Sequence, residues 1–408
     1  MLYPHLLSRG LEGKREEFLR FDRAWREGVR DYVGRLRALG SRSSQDVAHA
    51  LSAVKEPGAI PSAELDRANS IVVPFGRSWH NHEEARRWAI EALEGRVTFA
   101  ADGSQLVPGR DVSLPVAAVQ VAWFENPHTR DGKYQKDVRC EVVSPEELLG
   151  GSDDRSNADS IISLSRFRLE TEVLRHWIER KRGWKERGER TPVGFFDGTL
   201  MISIALPKTK LQDAYVEAVT DLVRLSRDAQ VPIVGFVDQS YARDLIWLLD
   251  TLAAGRATAS VRSQTLFDAQ LLHASAEEEP PSLSAWGDRT CFCYCVRKNS
   301  SEAFRDEHSG RPLVGFTYLQ TTGEAAPARL DLPAWIYEAG LLDDVVDAVR
   351  AECVSGLGYP YAIEAADEAA VISGRDRQQF LRAVQEFAER ERLPFGVSRK
   401  AASKVRRR

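Results

Sequence analysis

The chain has 408 residues, 43% of them hydrophobic, which is enough to bury the core of one large domain or two smaller ones. Its formal net charge of −4 does not mark the whole protein as a polyanion binder, and no apolar run is long enough to span a membrane. The cysteine count of five is odd and no signal-peptide pattern opens the chain, so we expect a cytoplasmic protein.

The first part of the chain has the pattern of amphipathic helices. In residues 11–55, which are rich in Arg, Glu, Leu and Ala, apolar side chains recur at helical spacing. Residues 58–61 begin with glycine and end with proline, and we expect them to interrupt the helices. A further helix is predicted over residues 83–93. Residues 1–95 are therefore predicted to form an N-terminal helical region.

From residue 96 the pattern changes to short apolar strands and intervening helices. The predicted order is strands 98–101, 116–124 and 137–143, helix 160–182, strand 193–196, helix 211–228 and strand 232–237. The first three strands suit an antiparallel meander, and the helical crossovers after them require parallel pairing. We therefore predict an α/β fold with a mixed sheet flanked by helices, over residues 96–395. A basic C-terminal tail is predicted over residues 396–408.

Two of the predicted strands are followed by an aspartate and a glycine, Asp102-Gly103 and Asp197-Gly198. A strand-ending aspartate is expected at the rim of the sheet, where glycine lets the chain turn and lets a ligand approach closely. A single Asp-Gly pair is commonly only a turn. Two such pairs that bracket a helix with an acidic residue on its apolar face favour a functional site.

That helix carries two glutamates, which its periodicity separates. Glu170 falls near the middle of the apolar stripe, whereas Glu172 falls on the opposite face and is expected in solvent. A carboxylate that faces a core costs several kcal/mol (about 2 or more) unless something compensates it. Either a bound cation or Arg166, one turn away, could compensate Glu170.

Asp102, Glu170 and Asp197 are therefore predicted to bind a divalent metal ion. Hard cations such as Mg²⁺ and Mn²⁺ prefer oxygen ligands, and two ions about 4 Å apart can promote in-line displacement at a phosphodiester. Clustered carboxylates also repel one another, which raises their proton affinity when no metal is bound.

The strand and helix order resembles the ribonuclease H-like fold, and several motifs resemble the NurA nuclease family. The motifs are Phe99-Ala100-Ala101-Asp102-Gly103-Ser104-Gln105, residues 120–129, Phe196-Asp197-Gly198-Thr199-Leu200 and Gly358-Tyr359-Pro360-Tyr361. The resemblance implies a ribonuclease H-like mixed sheet behind an N-terminal helical extension, with Asp102, Glu170 and Asp197 as metal ligands.

The resemblance also implies a function. Members of the family are Mn²⁺-dependent DNA nucleases, with Mg²⁺ as the alternative ion and two ions expected. They cut single strands and resect duplex ends 5′ to 3′ at double-strand breaks. They form homodimers that dock on the hexameric ATPase HerA, a DNA translocase.

Two further residues enter only through the resemblance. In the family, a tyrosine of the Gly-Tyr-Pro-Tyr motif and a histidine eight residues later join the site. Tyr359 matches the tyrosine, but Asp367 occupies the histidine position, and both are expected to be catalytic. At neutral pH, aspartate can ligate a metal or act as a base, whereas histidine can also donate a proton to the leaving group. The alternative function is therefore a weak or inactive adaptor that clamps DNA for a HerA-type motor.

Overall fold

The computed structural model describes residues 3–108, 113–149, 158–202, 209–254, 266–275, 281–297 and 302–396. Its strands are β1 (Gly58–Pro61), β2 (Val72–Val73), β3 (Thr98–Leu106), β4 (Ala117–Asn126), β5 (Gln135–Val143), β6 (Val193–Asp197), β7 (Ile233–Val237), β8 (Arg289–Thr290), β9 (Cys293–Val296), β10 (Val314–Leu319) and β11 (Ala328–Pro333). The predicted basic tail lies outside the described residues from residue 397 onward.

The helices vary from one turn to seven turns in length. They are α1 (Pro4–Gly13), α2 (Arg15–Gly40), α3 (Ser44–Leu51), α4 (Glu64–Ala68), α5 (His82–Leu93), α6 (Pro145–Leu149), α7 (Ala158–Lys181), α8 (Lys210–Ala229), α9 (Asp244–Ala254), α10 (Asp268–His273), α11 (Ala334–Glu338), α12 (Leu342–Ser355), α13 (Tyr361–Ala370) and α14 (Gly374–Arg390). Among these described helices, none is both long enough and apolar enough to cross a membrane.

The chain forms two compact units, and each unit contains two stretches of sequence. One unit consists of Met1–His80 with Gly235–Glu338, and the other consists of Asn81–Val234 with Ala339–Arg408. The boundary between them falls inside β7. The domain limits at residues 95 and 395 stay a prediction.

The unit that begins at Asn81 confirms the predicted fold class. Its strands lie in the order β7-β6-β3-β4-β5. β3, β4 and β5 are antiparallel neighbours, β3 and β6 are parallel, and α7 connects β5 to β6 while α8 connects β6 to β7. β3, β4 and β5 form a meander, and the crossover strands β6 and β7 lie on the other side of β3. This is the ribonuclease H-like arrangement.

β3 is longer than its apolar stretch predicted, and the expectation that Asp102 ends a strand is wrong. β3 continues to Leu106 because β4 pairs with it throughout, from Thr98 opposite Asn126 to Leu106 opposite Ala118. The parallel partner β6 stops at Asp197. Asp102 therefore lies where β3 loses one neighbour, so it still occupies an open edge of the sheet.

The long helix α7 packs on one face of this sheet through its apolar stripe. Trp177 is fully buried, and its ring stacks on that of Phe99 with 5.0 Å between the ring centroids. Gly194 in β6 leaves room for the indole, because a Cβ there would lie 2.8 Å from Trp177 Cζ3. Truncating a core tryptophan typically costs about 3–5 kcal/mol, so this contact is a main anchor of α7.

The sequence had suggested that residues 1–95 are helical throughout. The structure shows that this region also contains strands. Residues 58–61 form the strand β1, which pairs antiparallel with β9 from Gly58 opposite Val296 to Pro61 opposite Cys293. Pro61 lacks an N–H, but a strand end tolerates this. The pairing partner lies more than 200 residues away in sequence, so local pattern alone could not predict it.

The same unit encloses a network of buried charges. Arg329 lies 2.7 Å from an Asp331 oxygen and 2.8 Å from an Asp244 oxygen. Asp268 accepts hydrogen bonds of 3.0 Å from the N–H groups of Leu245 and Ile246, which caps α9. These charges are paired and hydrogen-bonded, as buried ions must be if the fold is to tolerate them.

Candidate metal centre

Asp102 and Asp197 lie beside one another on neighbouring parallel strands. The last paired residues of β3 and β6 are Ala101 and Phe196, and the two aspartates are the next residues on each strand. Their side chains are close enough that the charge of Asp197 helps to raise the pKa of Asp102. The prediction that both aspartates lie at one edge of the sheet is consistent with this register.

Glu170 reaches the same edge from α7. Its side chain is 13% exposed, and its Oε1 occupies the space beside Gly103 where any other residue would carry a Cβ. A Cβ at position 103 would lie 2.3 Å from Glu170 Oε1, so only glycine permits this approach. Gly103 therefore makes room for the carboxylate of Glu170. The sequence had suggested that this glycine forms a turn, but it lies inside β3.

The second Asp-Gly pair does form a turn. Gly198 has φ +134°, a backbone conformation that other residues rarely adopt, and it directs the chain away from the end of β6.

Arg166 partly neutralises Glu170, as one of the two sequence-based alternatives proposed. Arg166 Nε lies 3.5 Å from Glu170 Oε1, and its Nη1 donates a 3.0 Å hydrogen bond to the Gly103 carbonyl. Glu172 points elsewhere and pairs with Arg139 at 3.0 Å, with its side chain 45% exposed. The helical periodicity therefore separated the two glutamates correctly.

Tyr359 and Asp367 both join this cluster. Tyr359 Oη donates a 2.9 Å hydrogen bond to Asp197 Oδ1. Asp367, on α13, lies within hydrogen-bond reach of the Asp102 carboxyl and adds a further negative charge there. The structure thus brings together the side chains of Asp102, Glu170, Asp197, Tyr359 and Asp367.

Three acids of this cluster, Asp102, Glu170 and Asp197, have pKa values above those usual for their residue types. Burial raises the pKa of Asp102 to about 6, and the charges of Asp197 and Asp367 add to the effect. Burial raises the pKa of Glu170 to about 7 although Arg166 opposes it. Burial also raises the pKa of Asp197, which the Tyr359 hydrogen bond counteracts. The ionised cluster is strained, and positive charge would relieve it.

The donor set fits a hard divalent ion, but the side chains are not arranged around one. Among the described residues, no group of three His, Cys, Asp or Glu side chains has a geometry that could hold a metal as it stands. Glu170 Oε1 is buried and makes no hydrogen bond to any described residue. Carboxylate oxygens are the ligands that Mg²⁺ and Mn²⁺ prefer, and this unbonded oxygen is available to such an ion.

The sequence did not identify every residue near the cluster. Tyr215 on α8 lies 4.8 Å, ring to ring, from Phe167 on α7. Burial raises the pKa of the Tyr215 phenol, and the charges of Arg166 and Glu170 also act on it. Tyr215 lies on a strongly amphipathic helix, where an aromatic residue ordinarily indicates core packing, so no sequence signal distinguished it.

The sequence of this region matches a known family. The model of the NurA domain matches residues 96–372. The chain belongs to the NurA family. The matched range contains all five clustered residues, from Asp102 to Asp367. No curated protein sequence matches the chain.

A comparison with solved structures finds similarity to NurA proteins and to an endonuclease. A crystal structure of NurA with manganese has 9% identity and a TM-score of 0.39, and the alignment covers 74% of this chain and 94% of that one. A structure of NurA bound to dAMP and manganese has 12% identity, a TM-score of 0.35 and coverage of 74% and 92%. The catalytic domain of human Endonuclease V has 15% identity, a TM-score of 0.32 and coverage of 79% and 95%. At such low identities, membership in the NurA family follows from the domain match alone.

Proposed function

We propose that this protein is a metal-dependent DNA nuclease, with single-strand endonuclease and 5′-3′ exonuclease activity. The observation that carries the proposal is the convergence of Asp102, Glu170 and Asp197 at the edge where β3 loses its parallel partner. Membership in the NurA family supports the same activity. Manganese is the ion we expect, with magnesium as the alternative and two ions in the site.

Each residue of the cluster has a role in this proposal. Asp102, Glu170 and Asp197 would hold the ions, which supply charge neutralisation at the scissile phosphate and lower the pKa of a water. Tyr359 orients Asp197 through its 2.9 Å hydrogen bond. Asp367 adds a carboxylate beside Asp102, at the position where the family pattern has a histidine. Arg166 holds Glu170 in place when no ion is bound.

The test is cleavage of single-stranded DNA labelled at either end, with Mn²⁺ or with EDTA. We expect Mn²⁺-dependent degradation by the wild type and a loss of at least about 100-fold in Asp102→Asn and Glu170→Gln. Glu172→Gln is the matched control, because this glutamate lies on the same helix but pairs with Arg139 away from the cluster. Equal activity in Glu170→Gln and Glu172→Gln would refute the assigned site.

In cells the proposed role is resection of DNA ends at double-strand breaks, as a homodimer that works with a HerA-type hexameric ATPase. Family membership supports this assignment. Co-purification with such an ATPase tests the partner, and light scattering of the isolated protein tests the dimer. A monomer that does not bind the ATPase would leave the nuclease activity intact but remove this role.

A second candidate function is a DNA-clamping adaptor with little or no catalysis. Two observations favour it. Asp367 stands where the resemblance predicts histidine, and no described trio of side chains is arranged for a metal. Binding of DNA and ATPase without cleavage in Mn²⁺ or Mg²⁺ would select this function.

A further inference from the structure

The first half of α2 carries an apolar face that no described part of the chain covers. Phe18 and Phe21 are each 56% exposed, and Trp25 is half-buried. Leu11, in α1, is 51% exposed, and none of the residues of that helix is buried. Single exposed apolar side chains are ordinary, but a contiguous row of large ones marks an interaction surface.

The second half of the same helix packs within its own unit. Its buried side chains include Val29, Tyr32, Leu36 and Leu39. Tyr32 Oη donates a 2.7 Å hydrogen bond to Asp250 on α9, which fixes this half of the helix. α2 is 26 residues long, about 39 Å, and its first half extends beyond the packed region. The exposed row therefore prolongs a row that faces the core.

The spacing of the exposed row is that of a coiled coil. Six positions, which we call the seam, alternate by three and four residues: Leu11, Lys14, Phe18, Phe21, Trp25 and Gly28. A period of 3.5 residues keeps a row of side chains turned toward one partner helix along its length. The buried row begins one residue out of this repeat, at Val29. The repeat thus coincides with the exposed part of the two helices and predicts a helix as the partner.

The exposed helices gain little stability from their own sequence. α1 has 10 residues, and isolated helices shorter than about 12–15 residues are marginal in water. Gly10 and Gly28 stand inside the helices, and glycine is the poorest helix former after proline. A partner helix along the seam would supply the tertiary packing on which most helical stability depends.

We propose that the seam packs against the seam of a second copy of this chain, in antiparallel orientation. In an antiparallel coiled coil, Phe18 of one copy contacts Phe21 of the other, and Trp25 of one copy contacts Lys14 of the other. Two-fold symmetry makes each contact occur twice. Paired aromatic rings attract one another beyond their burial, and an ammonium group over an indole is a favourable cation–π contact. The lysine that interrupts the apolar row therefore has a favourable partner.

The charges beside the seam favour the antiparallel orientation. In an antiparallel pair, Arg15 of one copy lies next to Asp22 of the other, twice by symmetry. In a parallel pair, Glu17 of one copy would lie next to Asp22 of the other, and the two Lys14 ammonium groups would face each other in the seam. Opposite charges steer pairing and like charges oppose it. Charge complementarity therefore identifies a second copy as the occupant and sets its direction.

The seam lies outside the domain that identifies the family, since that match begins at residue 96. The contact therefore does not rest on the proposed nuclease activity. It goes beyond the proposed homodimer by assigning a contact surface in the N-terminal helices.

The first test is charge reversal in the full chain, with sedimentation velocity at low salt as the readout. Asp22→Arg places arginines side by side and should weaken self-association about 10-fold. Adding Arg15→Asp restores opposite charges and should recover the affinity. Asp31→Arg is the matched control and should have no effect. Asp22 and Asp31 each pair with an arginine one turn further along α2, but Asp31 lies beyond the seam.

The second test is a disulfide between the copies, with the exposed Cys140 replaced by serine. Lys14→Cys combined with Trp25→Cys should form a cross-linked dimer on oxidation, because these positions face each other across an antiparallel pair. Within one copy they are about 16 Å apart along the helix, too far for a disulfide. Each single variant is a control, and circular dichroism confirms that all variants are folded.

We expect the cross-link in the double variant alone, and loss and recovery of self-association in the charge-reversal series. If Trp25→Cys does not fold, the charge-reversal series decides. A cross-link in Lys14→Cys alone would indicate a parallel pair and overturn the orientation. Dimers that form without the cross-link and ignore charge reversal would overturn the seam contact but leave the proposed homodimer. Absence of DNA cleavage in Mn²⁺ by a protein that cross-links would overturn only the proposed nuclease function.

Discussion

Tyr359 Oη donates a 2.9 Å hydrogen bond to Asp197 Oδ1, across 162 residues of sequence. The turn before Tyr359 makes this contact possible. A Cβ on Gly356 would lie 2.1 Å from the Tyr359 carbonyl oxygen, and Gly358 has φ +108°. Both positions therefore require glycine. The Gly-Tyr-Pro-Tyr motif is a rigid corner that directs its first tyrosine to the carboxylate cluster.

Replacing Tyr359 with phenylalanine removes this hydrogen bond and retains the ring. We expect Tyr359→Phe to lower Mn²⁺-dependent cleavage about 10-fold, because Asp197 loses the donor that orients it. The fold should be unaffected, with a melting temperature within a few degrees of the wild type. Kinetics on a labelled single strand measure the change. A rate equal to that of the wild type would show that Tyr359 only packs.

Gly103 should not tolerate a side chain. In Gly103→Ala the new Cβ would lie 2.3 Å from Glu170 Oε1 and 2.8 Å from Arg166 Cγ, so both side chains must move. We expect a stability loss of about 1–3 kcal/mol and a loss of cleavage and Mn²⁺ affinity, measured by denaturant unfolding and calorimetry.

The control for this substitution is Gly34→Ala. Gly34 lies inside α2, and a Cβ there meets nothing within 4 Å. Helix propensity should make Gly34→Ala neutral or more stable by up to about 1 kcal/mol. If both alanine variants behaved alike, the close approach of Glu170 to β3 would not be a feature of the protein in solution.

The pKa of Glu170 predicts how stability depends on pH without metal. Its pKa is about 7 in the folded protein and near 4.5 when unfolded, so the folded state binds the proton more tightly. Ionisation therefore costs stability, which is greatest below pH 4.5 and falls as the pH rises to about 7. In Glu170→Gln, the decrease in folding stability over this pH range should be smaller by about 2–3 kcal/mol.

Urea unfolding in EDTA at pH 5 and pH 8 measures this difference between wild type and Glu170→Gln. Saturating Mn²⁺ should restore the wild type at pH 8, because a ligand that binds only the folded state stabilises it. The variant should respond much less to the metal. A pH dependence identical in both proteins would contradict the assigned environment of Glu170.

The sequence predicted the position of Glu170 on its helix better than it predicted the extents of the strands. Glu170 was distinguished from Glu172 because the periodicity of one helix is a local property. The extent of β3 was underestimated because Gly103, Ser104 and Gln105 resemble a turn, whereas their pairing with β4 depends on distant residues. β1 was missed for the same reason. Non-local pairing leaves no local pattern to detect.

The buried contact between Glu352 and His128 had no sequence signal either. Glu352 lies in a helix of mixed composition, and His128 follows a proline in a loop. Each residue alone resembles an ordinary surface residue. Only the fold brings them within 3.3 Å of one another and buries Glu352. Tyr359 and Asp367 entered the prediction through the family motifs, since no spacing rule connects them to Asp197 and Asp102.

The most informative substitution is Asp367→His, which installs the residue that the family resemblance predicts at this position. Asp367 adds negative charge beside Asp102 and contributes to raising its pKa to about 6. Histidine removes that charge and can donate a proton near neutral pH. We expect cleavage to rise about 10-fold or more at pH 7, because general acid catalysis is typically worth 10²–10⁴.

Glu368→His is the control, because this residue is adjacent on α13 and its side chain is 81% exposed. It should leave the rate unchanged. Rates between pH 5.5 and 8.5 report whether the gain in Asp367→His follows the titration of the new imidazole. A lower rate in Asp367→His than in the wild type would instead show that the native aspartate is itself a working ligand or base, because the substitution would then have removed a group that the reaction needs.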